Sequence, residues 1–338
     1  MKKSLTRRVS QNAREICLLA VIALIAVLVN VRSGGNFLAP KNISDMLVET
    51  SILAVLAMGM MSVIITGGID LSVGSTMALA GMVGTTVLRD SMTELGQGLH
   101  PALVIALAIG VGMAAGLLNG FLVARLNVLP IIATLGTMNI YRGATYLLSG
   151  GKWMLQQNMT VDFMAVATGK AFLGVNNLIW IALAVFAINF YFLGYTRTGR
   201  RIYAVGNSKE SAEVSGINTK AVTILAYVIT GGLAGLAGIL YVCKYAAAQG
   251  ETATGYELSV IAACVLGGVS ISGGLGKAHG AILGALLFGM LNNALPLLKI
   301  SPFWQEAIRG LIILISIIVN ALVSRRSAFK ALERRVAA

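Results

Sequence analysis

Apolar residues run through this chain in long, nearly unbroken stretches, without the alternation that marks a half-buried strand or an amphipathic surface helix. The stretches cover 16–31, 48–66, 71–88, 101–124, 130–148, 178–195, 221–243, 258–272, 279–295 and 305–323. Most approach the roughly 20 apolar residues that a helix needs to cross a bilayer. The pattern therefore predicts an all-α polytopic membrane protein with about ten transmembrane helices. It divides into a tail at 1–15, a membrane domain at 16–324 containing one long polar loop at 196–220, and a second tail at 325–338.

Composition supports this reading. Of the 338 residues, 57% are hydrophobic and 12% charged, where soluble domains carry about 25% charged residues. An ordinary soluble enzyme is thereby excluded. The net charge of +13 would suggest nucleic-acid binding in a soluble protein, but here its distribution points to membrane topology. With ten spans, 17 of the 26 basic residues fall on the side of both tails and the 196–220 loop, and seven on the other. The positive-inside rule places both termini in the cytoplasm. Arg197, Arg200, Arg201, Lys209 and Lys220, and the tail set Arg325, Arg326, Lys330, Arg334 and Arg335, read as topology and lipid-headgroup anchors. The head Lys2, Lys3, Arg7, Arg8 and Arg14 precedes a first helix that is expected to be retained, since no cleavage motif follows it.

Candidate chemistry is sparse. Glu49, Asp70, Arg142, Glu257, Glu306 and Arg309 lie near predicted span ends, and no carboxylate chain crosses the middle of the membrane as an ion-coupled carrier would need. Cys17, Cys243 and Cys264 lack metal or disulfide spacing and read as packing residues. His100 and His279 belong to no catalytic constellation. Gly276-Lys277 resembles the end of a phosphate loop, but Ala278 stands in place of the required hydroxyl and Ile271 in place of the first glycine. No cofactor or metal is expected.

The polar positions that remain are few. Gly67-Gly68 breaks a helix; Asp70 or Ser72 caps the next, or Asp70 serves as a gate at the cytoplasmic mouth. Gly267, Gly268, Ser272 and Gly274 repeat the pattern of Gly67, Gly68, Ser72 and Gly74 two hundred residues later, by chance or through related halves. Asn119, Asn292 and Asn293 are expected deep in spans, and Asn139 and Arg142 lie three residues apart on one face of another; these groups either tie helices together or line a path for an uncharged polar solute. Gly112, Gly116, Gly231, Gly235 and Gly238 are spaced for close helix packing. In the long loop, Asn207 as N-cap, Glu210 as its capping-box partner and Gly216 as terminator predict a helix of about two turns over 207–216, with Ser208, Ala212 and Glu213 inside it. So short a helix needs a packing partner: its own bundle, or a docked subunit.

Three segments carry a family resemblance. Gly67-Gly68-Ile69-Asp70-Leu71-Ser72-Val73-Gly74-Ser75, the loop from Thr198-Gly199-Arg200 to Ser215-Gly216-Ile217, and Leu266-Gly267-Gly268 to Gly273-Gly274-Leu275-Gly276 together resemble permease subunits of bacterial ABC sugar importers of the ribose, xylose and galactose type. Thr134-Leu135-Gly136-Thr137, Tyr141-Arg142-Gly143, Ser149-Gly150-Gly151-Lys152-Trp153 and Ile300-Ser301-Pro302-Phe303-Trp304 look most like the rhamnose and autoinducer-2 branch. The resemblance implies a periplasmic sugar-binding protein, two permease copies or paralogues, and separate ABC ATPase subunits, with the 207–216 helix seated in an ATPase groove. A self-contained carrier is the rival reading.

Overall fold

A computed structural model describes residues 13–94 and 96–318; most of both predicted tails lies outside them. Twelve helices with defined bounds follow one another: α1 (Ala13–Arg32), α2 (Pro40–Ile65), α3 (Val73–Glu94), α4 (Pro101–Ala124), α5 (Pro130–Ser149), α6 (Val161–Thr168), α7 (Asn177–Tyr195), α8 (Arg197–Asn207), α9 (Lys209–Val214), α10 (Thr219–Tyr245), α11 (Tyr256–Leu266) and α12 (Ala278–Leu297). Residues 302–318 are also helical. Pro40, Pro101 and Pro130 open α2, α4 and α5, where the missing N–H costs no intrahelical bond. The expectation of an all-α chain needs one small correction. Met154–Leu155 (β1) pairs antiparallel with Ala247–Ala248 (β2), tying the segment after α5 to the end of α10.

Every predicted span contains a helix, but six of the described helices, α1, α2, α4, α7, α10 and α12, are long and apolar enough to cross a membrane. α3 and α5 have sufficient length, yet Gly, Ser and Thr dilute their hydropathy. α11 stops after 11 residues, because Gly268, at φ +92°, turns the chain while the apolar run continues through Val269 and Ile271. The rest of the predicted 258–272 span is thus a non-helical return.

α2 and α10 form the centre of the bundle; α1 lies at its edge. Apolar burial does not drive helices together in lipid, so close backbone approach must do so. The glycines of α4 and α10 provide it. A Cβ on Gly112 would lie 2.8 Å from Gly235 N, and one on Gly116 would lie 2.9 Å from the Tyr227 carbonyl carbon. Cys243 and Cys264 are buried as packing residues, whereas Cys17 is exposed on α1.

The two Gly/Ser elbows meet in space but not in the register read from sequence. Gly67 N donates to Ile64 O and Gly68 N to Val63 O; the matching bonds at the other elbow run from Gly268 N to Val265 O and Val269 N to Cys264 O. Gly67 therefore corresponds to Gly268, an offset of 201 residues. The left-handed position, which glycine fills without a Cβ penalty, decides the equivalence.

Candidate functional site

The first elbow, between α2 and α3, carries a buried polar cluster. Asp70 Oδ1 accepts from Ser72 N at 2.9 Å and from Ser72 Oγ at 2.7 Å, an Asx arrangement that starts α3. Asn119, fully buried on α4, donates to Ser72 Oγ at 2.7 Å and to the Asp70 carboxylate at 3.3 and 3.4 Å. Tyr141 of α5 donates to Ala115 O at 2.9 Å, with the Asn119 oxygen at 3.4 Å, and Tyr227 of α10 reaches Ile69 O at 3.3 Å. Asp70 and Asn119, separate in sequence, thus form one network joining the elbow to three helices. Burial of a carboxylate among dipoles is tolerable only when its oxygens accept such bonds. Tyr227 carries no sequence signal beyond a hydroxyl on an apolar face, and Tyr141 only its place in the Tyr141-Arg142-Gly143 segment.

Asn292 and Asn293 lie elsewhere, at the end of the bundle where α2 begins. They sit about one turn from the end of α12 and are not deep in the span. Asn293 exchanges reciprocal amide hydrogen bonds with Asn42 of α2, at 3.0 and 3.1 Å. Both asparagines line a cavity of about 740 Å³ together with Glu49, Tyr256, Glu306 and Arg309. Glu49 pairs with Lys244 at 2.6 Å and accepts from Tyr245 at 2.8 Å; Arg309 pairs with Glu306 at 2.8 Å.

Arg142 and Asn139 do not act as one face. Arg142 donates to Gly250 O and Thr252 O, both at 2.7 Å, clamping the loop that connects β2 to α11. Asn139 is exposed and, among the described residues, bonds only within its helix, to Leu135 O at 3.0 Å. Their 60° separation on the helix is enough to place one against the loop and leave the other exposed on α5.

At the opposite end, where α2 ends, the 196–220 segment forms two helices, correcting the single one expected over 207–216. Asn207 closes α8, and Ser208 caps α9 by accepting from Ser211 N at 3.1 Å. The register is thus one residue later than expected, so Glu210 falls at the second helical position, outside capping-box geometry. Gly216 is the terminator: at φ +78° it lets its own N–H reach Glu213 O and Ile217 N reach Ala212 O. Glu213 Oε1 also accepts from Thr219 at 2.6 Å. α8 is strongly amphipathic, burying Gly199, Ile202 and Val205, a pattern that could have been read from 197–207.

α8 docks onto both elbows. Tyr203 donates to Gly276 O at 2.8 Å, its burial pushing the phenol upward and keeping it a donor. Gly274 N donates to Ile65 O at 2.9 Å, and Gly206 lies directly against this bond: a Cβ there would sit 2.6 Å from Gly274 N. On α9 only Ala212 is buried, while Val214 is 91% exposed. Among the described residues, no group of three or more His, Cys, Asp or Glu side chains could hold a metal ion.

Comparisons with known proteins give the family context. The family described as "Branched-chain amino acid transport system / permease component" matches residues 42–317. The ribose import permease protein RbsC of Escherichia coli (strain K12) is 38% identical over 308 residues, covering 90% of this chain and 92% of that protein. RbsC of Haemophilus influenzae is 36% identical over 305 residues, covering 89% and 91%. The autoinducer 2 import system permease protein LsrC of Salmonella typhi is 36% identical over 305 residues, covering 90% and 84%. No solved structure matches the chain.

Proposed function

Since this chain belongs to the branched-chain amino acid transport system permease family, a family of multi-pass membrane proteins, we propose that it is the channel-forming subunit of an ATP-driven importer of a monosaccharide or similar neutral polyol. The relatives' names, ribose import and autoinducer 2 import, point to that solute class. A periplasmic binding protein delivers the solute, a second permease copy or paralogue completes the channel, and separate ABC ATPase subunits supply the energy. The chain crosses the inner membrane about ten times, from a tail at 1–15 through the domain at 16–324 to a tail at 325–338, with both termini and the 196–220 loop in the cytoplasm.

The observation that carries the ATPase coupling is the exposure of α9. A six-residue helix bearing an apolar side chain as open as Val214 gains little by itself, yet it is held rigidly by its cap, by the Gly216 turn and by buried Ala212. Asn207, Ser208, Glu210, Ala212, Glu213 and Gly216 form this coupling unit, Asn207 now as the hinge between α8 and α9. Closure of the ATPase dimer would push α9, and α8 would pass the movement to the elbows at 66–72 and 267–277. Asp70 and Asn119 hold the first elbow; Asn139 and Arg142 on α5, and Asn292 and Asn293 on α12, are the polar groups along the path.

Reconstitution tests this reading. The purified chain in liposomes should accumulate no sugar under a proton or sodium gradient, whereas the chain with ATPase, binding protein and ATP should. Gradient-driven accumulation by the chain alone would establish the carrier reading in its place.

A further inference from the structure

The cavity near Asn292 offers more than a polar wall. Most polar groups in this bundle are already paired, including Asn42 with Asn293 and Glu49 with Lys244 and Tyr245. Four groups lining the cavity keep hydrogen-bonding capacity. Asn292 and the Tyr256 hydroxyl have no side-chain hydrogen bond among the described residues. Arg309 Nε is buried without a partner, although Nη1 bonds Glu306 Oε1 at 2.8 Å. Glu306 keeps its second oxygen.

Leaving the buried Arg309 Nε donor unpaired is costly, and a ligand that pairs it recovers that cost. Sugar hydroxyls both donate and accept, so they suit a set with Arg309 as donor, Glu306 as acceptor, and Asn292 and Tyr256 as both. The Tyr256 ring also supplies an apolar surface, with Tyr241 packed edge-on against it at 6.0 Å. Charge complementarity sets the class. Arg309 and Glu306 form an ion pair and so add no net charge to the cavity, which suits a neutral solute over an anion or a cation; a zwitterion is the competitor to test. The volume of about 740 Å³ lies within the about 300–1,000 Å³ range of small-molecule sites.

We propose that this cavity, at the end of the bundle remote from α8 and α9, is a binding site for a neutral monosaccharide within the permease itself, formed by Asn292, Tyr256, Arg309 and Glu306. This rests on the importer reading. The permease is then a stopping place with its own selectivity, where the solute waits between the binding protein and the inner passage.

Saturation-transfer NMR on the full chain in nanodiscs tests the site, with D-ribose, D-xylose, D-galactose and L-rhamnose offered in turn at millimolar concentration and L-leucine as the zwitterion. At least one sugar should take up saturation. Its affinity should fall about ten-fold in Asn292→Leu and several-fold in Tyr256→Phe, which removes only the hydroxyl, while Cys17→Ser, at the other end of the bundle, should match the parent. No transfer to any sugar, preference for leucine, or unchanged affinity in both cavity variants would overturn the site. ATP-driven uptake by the complete complex, measured in parallel, separates the two claims: uptake without binding sinks the site alone, and a complex without ATP-driven uptake sinks the importer reading.

Discussion

Gly206→Ala would place a methyl group where α8 presses on the end of α2. The added carbon would lie 2.6 Å from Gly274 N and 2.9 Å from the Ile65 carbonyl carbon, inside ordinary contact distance for both and between partners of a 2.9 Å hydrogen bond. All the nearest atoms are backbone, so no side chain can swing aside. Overpacking costs about 1–3 kcal/mol and loss of the Gly274–Ile65 bond about 1 kcal/mol, while alanine's better helix propensity returns about 0.5–1 kcal/mol. The net destabilisation is about 2 kcal/mol. Because α9 is untouched, the variant should insert and co-purify with the ATPase, but ATP hydrolysis should no longer be matched by sugar uptake. Gly194→Ala on α7 is the control, since its Cβ would enter open space. Uptake and thermal midpoint are measured for both variants. Equal values would refute the idea that α8 grips the elbows through this contact.

Other variants test the remaining contacts. Arg142→Leu removes two hydrogen bonds to Gly250 O and Thr252 O, each worth about 1.5–3 kcal/mol for a charged donor; proteolysis of the 249–255 loop should accelerate and uptake fall, whereas Asn139→Leu should lower uptake without changing thermal stability. Asp70→Ala strands the buried N–H and O–H donors of Ser72 and removes the longer contacts of Asn119, leaving Asn119 its bond to Ser72 Oγ, at about 1–3 kcal/mol, read as a lower thermal midpoint; an unchanged midpoint would mean that the cluster does not hold the elbow. Ala212→Pro removes the bond from Ala212 N to Ser208 O at about 3 kcal/mol, so ATPase co-purification and uptake should both be lost, while Lys209→Ala should have little effect; a Pro variant that retains both moves the docking site away from α9. On a cysteine-free background, impermeant thiol reagent applied to intact cells should label a cysteine placed at Gln157 and spare one at Ser208, and the reverse pattern would invert the topology.

Much of this molecule is legible along the chain because the bilayer imposes a local rule: a spanning helix satisfies its backbone within itself and must be apolar over a contiguous stretch. The positions of α1, α2, α4, α7, α10 and α12 follow from that rule, and the glycine spacing of α4 and α10 foretells their close contact. Hydropathy does not encode where an apolar run ceases to be helical, so the end of α11 at Gly268 and the one-residue offset between the elbows emerge only when backbone dihedrals are known. The cap of α9 falls at Ser208, one residue past Asn207, since Asn and Ser both suit that role and the packing of α8 chooses between them. Nor could spacing along the chain unite Asp70, Asn119 and Tyr141, or separate Asn139 from Arg142, because a side chain's partners depend on which helix lies opposite it. That is decided by how the bundle packs, through backbone contacts such as Gly206 against Ile65 and Gly112 against Gly231 that join residues more than a hundred positions apart.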